Sequence, residues 1–310
     1  MIPQDSPHLT AVGQSHTGNR RTQNEDRYAI QAYRLGSGQD CVLIIVADGI
    51  GGHQAGEIAA QYTVDTIQSS MSSFEGGDPL PVIQQSIIDA GRVVSEAASD
   101  DTQQEGMGST VALALIIEDE LYMATVGDSR IYLLRNGRLR QVSTDHTWIQ
   151  EAIEYDIITP EEARGHPQAH VLRRHIGGGE LPEPDLRLRL RDGESDEAAR
   201  ENQGTKLKHE DRLLLCTDGL TDMLPDSEIY NALARMPPDE AVAHLVERAL
   251  KAGGNDNITV VIVAMPKEFD KPPIVVHRRQ WGRKTLTAVS LLVLLVLGSV
   301  FTLWWLGVWP

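Results

Sequence analysis

Cysteine occurs at only two positions, Cys41 and Cys216, each in or beside a strand-like apolar run. So few thiols exclude a disulfide framework, and two reduced core thiols fit a cytosolic domain. Basic charge is scarce as well: 28 Lys plus Arg stand against 44 Asp plus Glu, leaving a formal charge of −16. Binding to a nucleic-acid backbone needs a basic surface, so a nucleic-acid partner is excluded. An anionic substrate would need metal ions or local arginines to attract it. Met1 to Thr10 lacks the charged and apolar regions of a secretory signal. Internal repeats are missing too.

Long charge-free runs are missing except in one place, Leu286 to Trp305. A helix of that length rises about 30 Å, the thickness of a bilayer core. Arg278, Arg279, Arg283 and Lys284 precede the run and no charged side chain follows it. The positive-inside rule then predicts a single-pass anchor with the N-terminal domain in the cytoplasm. Trp281 on one side, with Trp304, Trp305 and Trp309 on the other, suit the two interfacial aromatic belts. The expected organisation is a folded N-terminal domain over 1–268, a basic juxtamembrane linker over 269–284 containing Pro272 and Pro273, a transmembrane helix over 285–307 and a short tail over 308–310.

Within the first 268 residues, apolar runs bounded by turn residues predict strands at Val42 to Ala47, Thr110 to Ile117, Leu121 to Val126, Ile131 to Leu134, Arg212 to Cys216 and Ile258 to Val263. Asp119-Glu120 and Asn136-Gly137 are hairpin signals, the second suited to a type I′ turn. Helical spacing recurs at Ala60, Val64, Ile67 and Met71, at Ile83, Ile87, Ala90 and Val94, and at Val242, Leu245, Val246 and Ala249. Antiparallel strands with helices packed outside them make an α+β domain. Arg191 to Lys208 is polar and acidic, and reads as a mobile excursion between two strands.

The chemistry lies in acids placed at turns beside those apolar runs: Asn24-Glu25-Asp26, Asp48-Gly49-Ile50-Gly51-Gly52, Gly127-Asp128-Ser129, Asp218-Gly219 and Asp256-Asn257. Singly, each Asp-Gly is a common turn. Together they suit a hard divalent cation, which prefers oxygen ligands. Ser143, Asp145 and His146 lie close in sequence, but no nucleophile elbow accompanies them, which argues against a catalytic triad. His166, His170 and His175 have no cysteine or second pair beside them and read as polar surface residues, not a zinc cluster.

Arg21, Asn24-Glu25-Asp26, Asp48-Gly49-Ile50-Gly51-Gly52-His53, Gly108-Ser109-Thr110, Gly127-Asp128-Ser129-Arg130, Thr217-Asp218-Gly219-Leu220 and Gly254-Asn255-Asp256-Asn257-Ile258-Thr259 form an ordered set. In that order, from about His8 to Ala264, the chain resembles the bacterial metal-dependent serine/threonine protein phosphatases of type 2C. The resemblance implies a sandwich of two antiparallel β-sheets flanked by α-helices, with Mn2+ or Mg2+ at one edge. Asp48 would bridge two ions, the Gly49 carbonyl and Glu25 would serve one of them, and Asp218 and Asp256 the other. Asp128 would hold a third, weaker ion. Asp26 and Asn257 would lie outside the ligands, Arg21 would grip the substrate phosphate, and His53 would be a general acid or an orienting residue. Residues after Thr147 would form a flap beside the site. Implied substrates are phosphoserine and phosphothreonine proteins, and the anchor suggests a membrane serine/threonine kinase as the opposing partner. A catalytically silent phosphopeptide-binding relative is the alternative. Glu210 stands where such chains usually have glycine.

Overall fold

The computed structural model describes residues 1–52, 55–163, 166–168, 170–265 and 276–278. His53, most of the 269–284 linker, the 285–307 span and the 308–310 tail lie outside the described residues. No helix among the described residues is long and apolar enough to cross a membrane.

Two antiparallel sheets form the centre. The first runs in the order Ile2–Gln4, Arg27–Arg34, Asp40–Ala47, Val111–Ile117, Glu120–Val126, Thr205–Lys206. The second, over residues 10 to 264, runs Arg138–Gln141, Arg130–Arg135, Arg212–Cys216, Ile258–Ala264, Thr10–His16. A small ladder joins Gly49–Ile50, Gly108–Ser109 and Ile176–Gly177.

Strand alternation explains the layering. In Asp40–Ala47, Val42, Ile44 and Val46 meet Leu213, Leu215, Val261 and Val263 of the other sheet. Leu43, Ile45 and Ala47 turn outward against Ala60, Val64, Ile67, Ile83 and Ile87 of the helices Ala55–Ser72 and Leu80–Asp100. On the far side, Leu214, Cys216, Val260 and Ile262 pack against Leu233, Val242, Leu245 and Ala249 of the helices Asp226–Arg235 and Pro238–Ala252. The result is helices, sheet, sheet, helices, with strand residues alternating between two cores. Cys41 and Cys216 are both free and buried, one in each helix-facing core.

The predicted strands and the three helical stripes are all present. The Asn136-Gly137 turn has both residues at positive φ, +52° and +71°, as type I′ requires. One expectation is corrected. Arg191 to Lys208 contains the helix Asp196–Glu201, capped by the Ser195 hydroxyl, and a strand, Thr205–Lys206, that extends the first sheet. Its lack of large apolar residues is made good by ion pairs: Asp196 meets Arg187 and Arg189, and Glu194 accepts from the Leu190 main chain and Asn202.

Candidate metal centre

Strand register gathers the acidic turns at one edge. Arg27 pairs with Ala47, Val111 with Val126, and Cys216 with both Arg130 and Val260. Glu25 and Asp26 precede the first of these strands, Asp48 and Asp128 follow theirs, Asp218 follows Cys216, and Asp256 precedes Ile258–Ala264.

Hydrogen bonds fix these turns. The Asp48 main chain donates to Thr110 Oγ1 at 3.0 Å and its carbonyl accepts from the Thr110 N–H at 2.8 Å. Asn257 fastens the segment carrying Arg21 and Glu25: its Oδ1 accepts the Glu25 N–H at 2.7 Å, and its Nδ2 donates to the carbonyls of Thr17 and Gln23. Two glycines permit the close approach. A Cβ on Gly49 would overlap the Gly56 carbonyl oxygen, and one on Gly219 would overlap the Asn257 carbonyl oxygen.

Asp26 is buried, with Oδ2 accepting from Thr217 Oγ1 at 2.9 Å and Thr259 Oγ1 at 2.6 Å, while its Oδ1 has no partner. Burial pushes Asp26 up to about 7, aided by the charges of Asp218 and Asp256 and opposed by the two threonines. Burial and the charges of Asp26, Asp218, Asp128 and Asp256 drive Asp48 well above the carboxylate range. Asp128 is raised by burial and then by Asp218 and Asp145. Asp218 rises to about 6 through burial and the charges of Asp222 and Asp256, with a hydrogen bond to Asp48 opposing. Carboxylates that raise one another in this way call for positive charge among them.

Arg21, beside the acids, donates from Nη2 to Asp256 Oδ2 at 2.7 Å. With Glu25, Gly51, Gly52, Ile58 and Asp101 to Gln104 it lines a cleft of about 1150 Å3.

Nine of the ten residues expected here from sequence are brought to this edge: Arg21, Glu25, Asp26, Asp48, Gly49, Asp128, Asp218, Asp256 and Asn257. His53 is the tenth. One acid was missed. Asp222 joins Asp218 and His170 in a trio whose ligand atoms lie within 4.8 Å of one another, and His170 Nδ1 is 3.5 Å from Asp222 Oδ2. Asp222 follows Asp218 by four residues, the spacing that puts two side chains on one helical face, and that was its only signal. His166 instead stacks on Trp148, so these histidines form no shared cluster. Ser143, Asp145 and His146 diverge likewise: Ser143 Oγ accepts from the Ile131 N–H, Asp145 pairs with Arg130, and His146 meets Gly127 and Asp185.

The donors suit divalent cations. They are carboxylate oxygens and one glycine carbonyl, with a single imidazole at the side, and a buried carboxylate oxygen stands without a partner.

A family profile described as protein phosphatase 2C matches residues 12–252. The serine/threonine protein phosphatase PstP of Mycobacterium tuberculosis is 34% identical over 254 residues, which cover 82% of this chain and 44% of that protein. The chain thus spans less than half the length of that relative. The protein phosphatase PhpP of Streptococcus pneumoniae is 33% identical, with 84% of this chain and 97% of that one covered. Among solved structures, the Streptococcus agalactiae serine/threonine phosphatase superposes with a TM-score of 0.72 at 31% identity, covering 83% of this chain and all of that one. The catalytic domain of PstP in complex with two manganese ions gives 0.68 at 32% identity, with 84% and 99% covered. Profile, relatives and superposition agree, and the chain belongs to the protein phosphatase 2C family.

Proposed function

We propose that this chain is a metal-dependent protein serine/threonine phosphatase, using Mn2+ or Mg2+. The observation that carries the reading is the convergence of Asp128, Asp218 and Asp256 on Asp48, with Arg21 paired to Asp256 and lining the adjoining cleft. Asp48, Asp218, Asp256, Glu25 and the Gly49 carbonyl would hold two ions, and Asp128 a third. When bound, such ions activate water near neutral pH for in-line attack on phosphorus.

The chain's own residues do the rest. Arg21 is half-exposed and directs a planar fork of donors into the cleft, suited to two phosphate oxygens. Its pairing with Asp256 holds that fork at the edge of the carboxylate set before substrate arrives. Asn257 and Asp26 keep the loops in register, so the charged groups need little rearrangement as charge develops on the phosphoryl oxygens.

The test is phosphate release from a phosphothreonine peptide by the full chain in detergent, with Mn2+, Mg2+ or chelator. Release should require metal, and Asp218→Asn should lower kcat by about 100-fold or more, the scale of losing one preorganised electrostatic group. Metal-independent release, or full activity in the variant, would sink the reading.

We further propose a cytoplasmic catalytic domain tethered by 285–307, opposing a membrane serine/threonine kinase. The charge-free run and the four basic residues before it support this placement. Confinement to one membrane raises effective concentration without new contacts.

A further inference from the structure

The Ser143 to Thr147 patch and the acidic excursion take no part in the reaction outlined above, and the structure joins them. His146 is 4% exposed. Its main-chain N–H donates to the Gly127 carbonyl at 2.9 Å, and its Nδ1 accepts the Gly127 N–H at 3.0 Å. Both polar groups of the residue before Asp128 are thereby gripped by one histidine. Gly127 needs that grip: it sits at φ +100°, and a Cβ there would meet the Thr110 side chain at 2.6 Å.

A peptide N–H can only donate, so Nδ1 carries no proton, and Nε2 holds the ring proton and donates it to Asp185 Oδ2 at 3.2 Å. Asp185 is 6% exposed and receives three further donors from Arg187: the main-chain N–H at 2.9 Å, Nε at 2.8 Å and Nη2 at 2.6 Å. Burial pushes the Asp185 carboxyl up, but the bonds from His146 and Arg187 and the Arg187 charge outweigh it and hold the group below the usual carboxylate range. Arg187 Nη1 then reaches Asp196 at 3.1 Å, where Arg189 Nη2 also binds at 2.5 Å. Arg189 returns to the patch through Thr144 Oγ1 at 3.1 Å.

We propose that His146, held in its Nε2–H tautomer by Asp185, is a positioning residue that sets the Asp128 turn, and that Arg187 and Asp196 tie this setting to the 191–208 excursion. The proposal rests on reading Asp128 as a ligand of the weakest ion. Groups that orient a ligand from behind alter metal affinity without touching the metal.

The experiment titrates the full chain in detergent with Mn2+, following free Mn2+ by electron paramagnetic resonance. Alongside it, 15N-histidine NMR reads the His146 tautomer. His146→Gln can still reach Asp185 but removes the acceptor at Nδ1, and should weaken the weakest site about 10-fold or more while sparing the tighter sites. His146→Asn places an oxygen near the former Nδ1 and should recover most of that loss. The half-exposed Asp196→Asn keeps the core intact and should weaken the same site about threefold, the scale of one partly exposed ion pair. A proton on Nδ1 in the wild type, or isotherms unchanged in folded His146→Gln and Asp196→Asn, would overturn the proposal. Should His146→Gln not fold, the tautomer and Asp196→Asn decide. Asp128→Asn separates the two readings: if it leaves every site unchanged, the assignment of Asp128 to an ion has failed and the positioning role falls with it. If it removes the weakest site while the other variants do not, only the positioning role has failed.

Discussion

Single side chains at the acidic edge do different work. Arg21→Ala should remove the charge-assisted bidentate contact proposed for the substrate phosphate, whose usual strength of about 1.5–3 kcal/mol corresponds to a loss of about 10- to 150-fold in kcat/KM. Steady-state kinetics on a phosphopeptide should show part of that as a raised KM, and Arg21→Lys should not restore it, because a point charge does not match two oxygens. The carboxylates predict a second behaviour. Asp26 and Asp218, at about 7 and about 6 in the folded state, lie above the unfolded value near 4. The metal-free fold therefore holds these protons more tightly than the unfolded chain does. Its stability from these groups is complete below about pH 4 and is lost as pH climbs through 6 and 7, at about 1.4 kcal/mol per pH unit per group. Thermal melts in chelator should fall over that window, and Asp26→Asn should flatten the fall. Excess Mn2+ should raise Tm at pH 7.5, because the ions bind the folded carboxylate set and not the unfolded chain.

At the scale of the element, turns decide where those residues go. Gly49 is crossed by the Gly56 and Glu25 carbonyls so closely that Gly49→Ala should cost about 1–3 kcal/mol or more in denaturant unfolding, on the scale of other overpacked sites. Metal affinity should drop with it. These turns were legible in the sequence because acid and glycine stand together beside apolar runs. Central strands were legible for the same reason: Val42 to Ala47 and Ile258 to Val263 serve two cores at once and read as continuous apolar stretches. Thr10–His16 and Arg27–Arg34 were not, because Gly13, Gln14, Ser15 and Gln31 interrupt their pattern. Asp196–Glu201 escaped notice since its stability comes from a serine cap and paired arginines, which no hydrophobic period reports. Asp222 was hidden by its position just past a short helix, with no turn residue to mark it.

For the whole molecule, catalysis and tethering are predicted to separate. Deleting 281–310 should leave turnover of a soluble phosphopeptide within about twofold, since the residues assigned to the site all fall between Arg21 and Asn257, while moving the protein from the membrane fraction to the soluble one. An equal loss of peptide activity would show that the segment does more than tether. Family membership was legible from the ordered turns alone. The join between the metal edge and the excursion was not, because it runs through hydrogen bonds among His146, Asp185, Arg187 and Asp196, residues 50 positions apart at the extremes.

The pairing of Thr10–His16 with Ile258–Ala264 sets the order of events during synthesis. The second strand lies inside its sheet, flanked by Arg212–Cys216 on one side and by the domain's early strand on the other, and Asp256 and Asn257 are delivered by the same stretch of chain. Until that stretch leaves the ribosome, the early strand has no neighbour and the carboxylate set lacks a member. On the proposed function, a nascent chain shorter than about 264 residues would bind no complete set of ions, and hydrolysis would begin only when nearly the entire domain has been translated.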